Sequence, residues 1–352
     1  NTTGQQNTAI GSCALLSNTT GTENVAIGFM TMCNTTTADS NVAVGNYSMR
    51  AATTGNNNTA VGYCSLKANT TGAENTAIGR QALHANTTGG QNTAVGVCAL
   101  DANTTGADNV AVGRKALDAN ISGVENTALG YAALRDNTTG ACNTALGKDV
   151  LLANTTGIKN TIVGALAGND ITTGGCNTII GYCSGNGSLT TGRGNVLLGQ
   201  NLDTAASDSA FEVVIGTGAT GKGTNTGFIN PNGGGIFQGN NSSSWSTTSD
   251  KRIKKNIVDN NVGLNKINQI QVRNFEYRAE DEITDFKNSK SAVVDKQGIQ
   301  LGVIAQEIEQ ILPDVVKEEL TGVKSVDPSN LTWYMINAIK ELKAEIEELK
   351  KG

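Results

Sequence analysis

Histidine occurs once in the chain, at His84, which rules out a His-based catalytic triad or a multi-histidine metal site within one copy. Proline is almost as scarce, with 3 residues, and aromatics make up 4 %, so the chain resembles neither a Pro-rich disordered tail nor an ordinary globular domain. No apolar run approaches the roughly 18 residues of a membrane span, and no charged-then-apolar signal segment stands at the start. The 26 basic residues face 31 acidic ones and form no run long enough to track phosphates, so no nucleic-acid partner is expected. No cofactor or metal is expected either, because the 7 cysteines include no Cys-x-x-Cys pair.

What is abundant is glycine, 43 residues, together with a short recurring phrase. Asn-(Thr/Val)-(Ala/Ile/Leu)-(Ile/Val/Leu)-Gly starts at Asn7, Asn24 and Asn41 and continues in steps of 17 to Asn177, with one step of 18 before Asn195. A degenerate copy follows at Glu212 to Gly216. The repeat is already under way at Asn1, which points to further chain upstream. A second apolar pair, such as Ala82 and Leu83, precedes Asn-Thr-Thr-Gly, as at Asn86 to Gly89. Each unit therefore reads as strand, turn, short strand, turn, with Gly and Asn supplying the turn conformations. The period is too short for a helical hairpin and carries no 3.6-residue stripe, so the expected fold is mainly β, a β-solenoid or β-roll over residues 1–216. Twelve coils at strand spacing extend about 58 Å.

Such a coil is poor in core material. Two large aliphatics per unit, Ile78 and Leu83 in one example, are few for the entropy of ordering 17 residues, so burial between chains is expected to make up the difference. Near-identical coils also let neighbouring chains slip by one repeat, so a registration device at one end is expected. The Asn-Thr-Thr triplets match glycosylation acceptors, but turn chemistry makes them coil corners. A flat Thr array binding ice or glycan is the alternative. Cys13, Cys64, Cys98 and Cys183 share one place in the repeat. Equivalent places two coils apart lie about 9.6 Å from each other, beyond disulfide reach, so free thiols are expected.

Residues 217–248 lose the period and read as a Gly/Asn/Ser-rich neck with Phe228, Ile236, Phe237 and Trp245 as anchors. Charge then rises: 23 charged side chains lie in residues 1–248 and 34 in residues 249–352. The last stretch reads as a small α+β module. Its expected elements are a strand around Gln271 to Tyr277, then a helix in which Ile304, Ile308 and Ile311 share a face before Pro313 stops it. A final helix, with Asn330 as N-cap, carries Met335, Ile339, Leu342, Ile346 and Leu349 at heptad spacing. That seam is read as a trimerisation surface, the alternative being an amphipathic helix packed on its own module.

Three blocks carry a family resemblance: Ser249-Asp250-Lys251-Arg252-Ile253-Lys254-Lys255-Asn256-Ile257, then Gly302-Val303-Ile304-Ala305-Gln306-Glu307-Ile308 with Pro313 and Val315, then Ser325-Val326-Asp327 leading to Ala338-Ile339-Lys340-Glu341-Leu342. They resemble the self-cleaving C-terminal intramolecular chaperone of phage tailspikes, tail fibres and related viral fibres. Pro328 stands where that pattern carries an aromatic. The repeats resemble the heads of trimeric autotransporter adhesins and repeats of phage tail fibres. The resemblance implies a homotrimer, a cut at Thr248–Ser249, Ser249 as nucleophile and Lys254 as its base, in a single turnover. Residue chemistry is compatible with that pair, because Lys251, Arg252 and Lys255 would lower the pKa of a neighbouring amine. A five-residue separation does not meet on a helix, so the segment has to bend. The implied place is the virion surface, with a host glycan or protein as receptor. The alternatives are a secreted or cell-surface trimeric adhesin and the ice- or glycan-binding solenoid.

Overall fold

The computed structural model describes residues 1–230, 236–238, 246–247, 254–283, 297–318 and 323–351, which fall into two compact units, Asn1–Ser249 and Asp250–Gly352. In the first unit each repeat contributes one strand: β1 (Thr8–Ile10), β2 (Val25–Ile27), β3 (Val42–Val44), β4 (Thr59–Val61), β5 (Thr76–Ile78), β6 (Thr93–Val95), β7 (Val110–Val112), β8 (Thr127–Leu129), β9 (Thr144–Leu146), β10 (Thr161–Val163) and β11 (Thr178–Ile180). Each pairs in parallel with the next coil in strict register, as Thr76 with Thr93, Ala77 with Ala94 and Ile78 with Val95. The longer step is absorbed without a slip, since Thr178 pairs with Val196. The sheet outlasts the period: β12 (Val196–Gln200), β13 (Val213–Thr217) and β14 (Gly227–Asn230) continue it in parallel. Two antiparallel strands, β15 (Ile236–Gln238) and β16 (Ser246–Thr247), close it. This is the expected β-solenoid.

Its interior differs from expectation in two ways. A three-residue strand has one inward position, and alanine takes it: Ala77 is buried whereas Ile78 is 42 % exposed. Leu83 is buried and faces Ala77 from the opposite wall of a thin coil. Only one of the two large aliphatics therefore serves the core of its own coil. The second correction concerns the short strand expected at Ala82 and Leu83, which is a turn, with Gln81 at φ 59° and Leu83 at φ 51°.

Left-handed backbone costs an ordinary residue about 1 kcal/mol, and the hydrogen-bond ladder supplies the offset. Gln81 N–H donates to Tyr63 O on the coil before, and Leu83 N–H donates to Ala99 O on the coil after. Gln91, at φ 61°, donates back to Ala73 O. Alternating handedness thus lets one coil bond to both neighbours. Asn86 to Gly89 contributes no left-handed residue. Glycine is needed after the strand instead, where Gly96 has φ 140° and a Cβ would come within 2.5 Å of Gly113 O.

Two asparagine stacks line the interior. Asn92 Nδ2 donates to Asn75 Oδ1 at 3.1 Å and to Gly106 O at 2.9 Å, while its own Oδ1 accepts from the N–H and Nδ2 of Asn109. Every donor and acceptor of the amide is used. Aspartate cannot donate, and glutamine reaches too far. In the second stack Asn86 donates to Asn69 Oδ1 and to Gly89 O, and the same Gly89 carbonyl accepts from Asn75. Asn18, Asn69, Asn86, Asn103, Asn137 and Asn154 are buried, so their triplets are coil corners closed to glycosylation in the folded state, whereas Asn1 and Asn34 are exposed. Glu212 ends the first stack: its N–H donates to Asn195 Oδ1 and its carboxylate accepts from Gly223 and Ala205.

The second unit is a small α+β module. β17 (Arg273–Phe275) pairs antiparallel with β18 (Gln300–Gly302), and β19 (Val316–Glu318) with β20 (Lys324–Val326). The helices are α1 (Leu264–Ile267), α2 (Ala305–Ile311) and α3 (Pro328–Leu349). Ile308, Leu312 and Val315 form the core, with Ile270, Leu331 and Tyr334 packed on it. Pro313 ends α2 as expected and opens a 3-10 turn, Pro313–Val315. Asn330 is not the N-cap: α3 starts two residues earlier, at Pro328, whose fixed φ and missing N–H suit a first helical turn.

Candidate functional site: the junction and the exposed seam

Thr248 and Ser249 lie outside the described residues, as do Lys251, Arg252 and Ile253. The chain resumes at Lys254, and Lys254 and Lys255 are both exposed. The next few residues are strapped to the last helix. Asn337 Nδ2, on α3, donates to Asn260 O at 2.7 Å and to Val262 O at 3.2 Å. Leu264 N–H donates to Glu341 Oε2 at 2.7 Å. Between these bonds Gly263 lies so close to the backbone at Ala338 that no side chain fits there. The segment behind the junction is thus held by the helix that carries the heptad residues. Sequence reading missed this strap, which joins residues 77 apart along the chain.

That helix divides its faces cleanly. Leu331, Tyr334 and Ala338 pack on the module's own side. Met335, Ile339, Leu342, Ile346 and Leu349 remain outside, at 50, 64, 43, 49 and 81 % exposure. Packing on its own module therefore accounts for a different stripe from the heptad one. Tyr334 donates its hydroxyl to Asp314 Oδ2 at 2.7 Å, and this bond raises the phenol above its ordinary pKa. Asp314, Tyr334 and Asn337 line a groove beside the strap together with the exposed Trp333.

The solenoid has an outer apolar row of its own. The third strand residue faces outward on successive coils, as Val61, Ile78, Val95, Val112 and Leu129, stacked in register. Among the described residues no helix is long and apolar enough to cross a membrane.

No curated protein and no solved structure is significantly similar to the chain. Residues 249–317 match the model of the Peptidase_S74 family, described as the chaperone of endosialidase, so the segment that follows the β-solenoid in sequence is similar to that chaperone.

Proposed function

We propose that the chain is the subunit of a homotrimeric viral or phage fibre. In this reading residues 1–216 form the shaft that faces a host glycan or protein, residues 217–248 a neck, and residues 249–352 a chaperone that registers three chains and then releases itself. The observation that carries the reading is the chaperone-family match, which opens on Ser249, behind the repeats and the neck. Two outward apolar features, the strand row of the solenoid and the seam of α3, favour a multi-chain assembly over a monomer. One threonine column weighs against a Thr-lined ligand face, because Thr87 Oγ1 donates to Thr104 O on the next coil, whereas the neighbouring column of Thr71, Thr88 and Thr105 is exposed.

The release step follows from the pair Ser249 and Lys254. Ser249 Oγ attacks the Thr248 carbonyl carbon while Lys254 takes the hydroxyl proton and returns it to the Ser249 nitrogen as the C–N bond breaks. Water then hydrolyses the Thr248 ester, leaving a Thr248 carboxylate and a free Ser249 amine. Removing the template after assembly leaves the trimer kinetically trapped. Because the strap ties residues 260–264, which follow the cut in sequence, to α3, seam association is the event that would position the cut.

Intact mass and N-terminal sequencing of the purified chain test this. The expected products are residues 1–248 and 249–352, with Ser249 leading the smaller one, and an uncut Ser249→Ala variant. Cleavage that persists in that variant removes Ser249 as nucleophile. A shaft that is monomeric in light scattering, cut or uncut, removes the fibre reading.

A further inference from the structure

Stacking at a 17-residue period brings together groups that are distant in sequence. His84, Asp101 and Asp118 occupy the same place on three consecutive coils, and Cys98 lies beside them on the middle one. Cys98 Sγ and one carboxylate oxygen each of Asp101 and Asp118 all lie within 4.8 Å of one another. His84 Nδ1 is 3.5 Å from Asp101 Oδ1. That oxygen is out of reach of water and accepts no hydrogen bond. Two aspartates in register on adjacent coils repel, and a cation held between them and Cys98 would offset their charge.

We propose that Cys98, Asp101 and Asp118 bind a zinc-class divalent ion, with His84 holding Asp101 in place from the neighbouring coil. A thiolate with two carboxylates selects a borderline-soft metal over calcium or magnesium, which take oxygen alone. Tetrahedral zinc sets its ligands roughly 3.5 Å apart, so the three side chains need close only by about 1 Å. A fourth position stays open to water, since all three residues are half-buried rather than enclosed. Lys115 Nζ, 3.7 Å from Asp118 Oδ2, is the competing cation. The site would clip adjacent coils together and stabilise the middle of the shaft by mass action.

The absence of any Cys-x-x-Cys pair hides such a site from sequence reading, because its members come from separate coils and are neighbours only once the register is known.

The test is calorimetric titration of zinc into the full chain in chelator-free reducing buffer, paired with cobalt(II) absorption. One ion per chain and a near-ultraviolet thiolate-to-cobalt band are expected. Cys98→Ser should abolish the band, and Asp101→Asn with Asp118→Asn should abolish tight binding with circular dichroism unchanged. His84→Ala should weaken binding about 10-fold, and Lys115→Ala should tighten it. Cys183→Ser is the control: Cys183 holds the same place in its coil as Cys98, but Asn186 stands where Asp101 would be, so the band should survive. A band that survives Cys98→Ser, undiminished binding in the double aspartate variant, or equal competition by calcium would each overturn the assignment.

Discussion

Gly168 faces Ile162 across the coil, and a methyl group at 168 would come within 2.6 Å of Ile162 Cδ1. In the preceding coil the same two places hold Leu151 and Ala145, both buried. Bulk has moved from one wall of the solenoid to the other while the filled volume is roughly kept. Gly185 and Ile179 repeat the exchange one coil later, with 2.7 Å from a methyl at 185 to Ile179 Cδ1.

The exchange predicts strong coupling between the two positions. Ile162→Ala alone should cost about 2 to 5 kcal/mol through the cavity it opens, and Gly168→Leu alone should overpack the coil. The double variant restores the Ala and Leu pairing of the earlier coils, so its loss should fall short of the summed single losses by about 1 kcal/mol or more. Denaturant unfolding of the four proteins measures this, and additive losses would refute the exchange.

Position within an asparagine stack should matter more than burial. Asn109→Ala removes the acceptor of Asn126 N–H and Nδ2 and the Nδ2 bonds to Asn92 Oδ1 and Gly123 O, leaving only the backbone N–H at 109 on Asn92 Oδ1, which should cost on the order of 3 kcal/mol. Asn154 is equally buried, but its Oδ1 already lacks a partner because Ile171 follows it in the stack. Gly157 O would keep its bond from Asn143 if Asn154 were lost. Asn154→Leu should therefore cost only about 1 kcal/mol. Thermal unfolding of both variants checks the order, and equal losses would mean that the stack does not act as a connected ladder.

The solenoid was legible in the sequence because its period fixes the pairing: once Asn75 stacks on Asn92, the register of β5 and β6 follows. The inside of the coil was not. Ala77 and Ile78 are both apolar, and periodicity over a three-residue strand cannot say which of them points inward. The handedness of Gln81 and Leu83 was illegible for another reason, since it answers to the direction in which each N–H must point and not to side-chain propensity. In the C-terminal module the four-three spacing marked the heptad residues. The strap from Asn337 to Asn260 joins parts of the chain too far apart in sequence for any local pattern to signal.

Thiol reactivity should separate the cysteines by environment and by pH. Cys33 and Cys64 are buried and should label only on unfolding, whereas Cys142 and Cys176 are exposed. Cys142 Sγ donates to Glu125 Oε2 at 3.3 Å, and this bond raises its pKa. The thiolate is the reactive form, so a raised pKa shifts the labelling profile of Cys142 to higher pH. Glu125→Gln should shift it back, with faster labelling at neutral pH and no difference once both thiols are ionised. Mass-resolved labelling from pH 6 to 10 would read this, and an unchanged profile would remove Glu125 as the cause.

The proposed trimer, the cut and the strap can be separated by substitution. Ser249→Ala and Lys254→Ala remove the nucleophile and the base but leave α3 intact, so both should assemble and stay uncut. Lys255→Ala removes a neighbouring charge, so it should slow the cut without stopping it. Ile339→Asp with Ile346→Asp places carboxylates on exposed seam positions, sparing the packing of Leu331, Tyr334 and Ala338, so the module should still fold. That variant should neither trimerise nor cut, because the helix strapped to residues 260–264 no longer meets its copies. Light scattering and intact mass on the five proteins decide between the possibilities. Normal cutting by a monomeric seam variant would uncouple the strap from assembly, and a block in Lys255→Ala with normal cutting in Lys254→Ala would move the base by one residue.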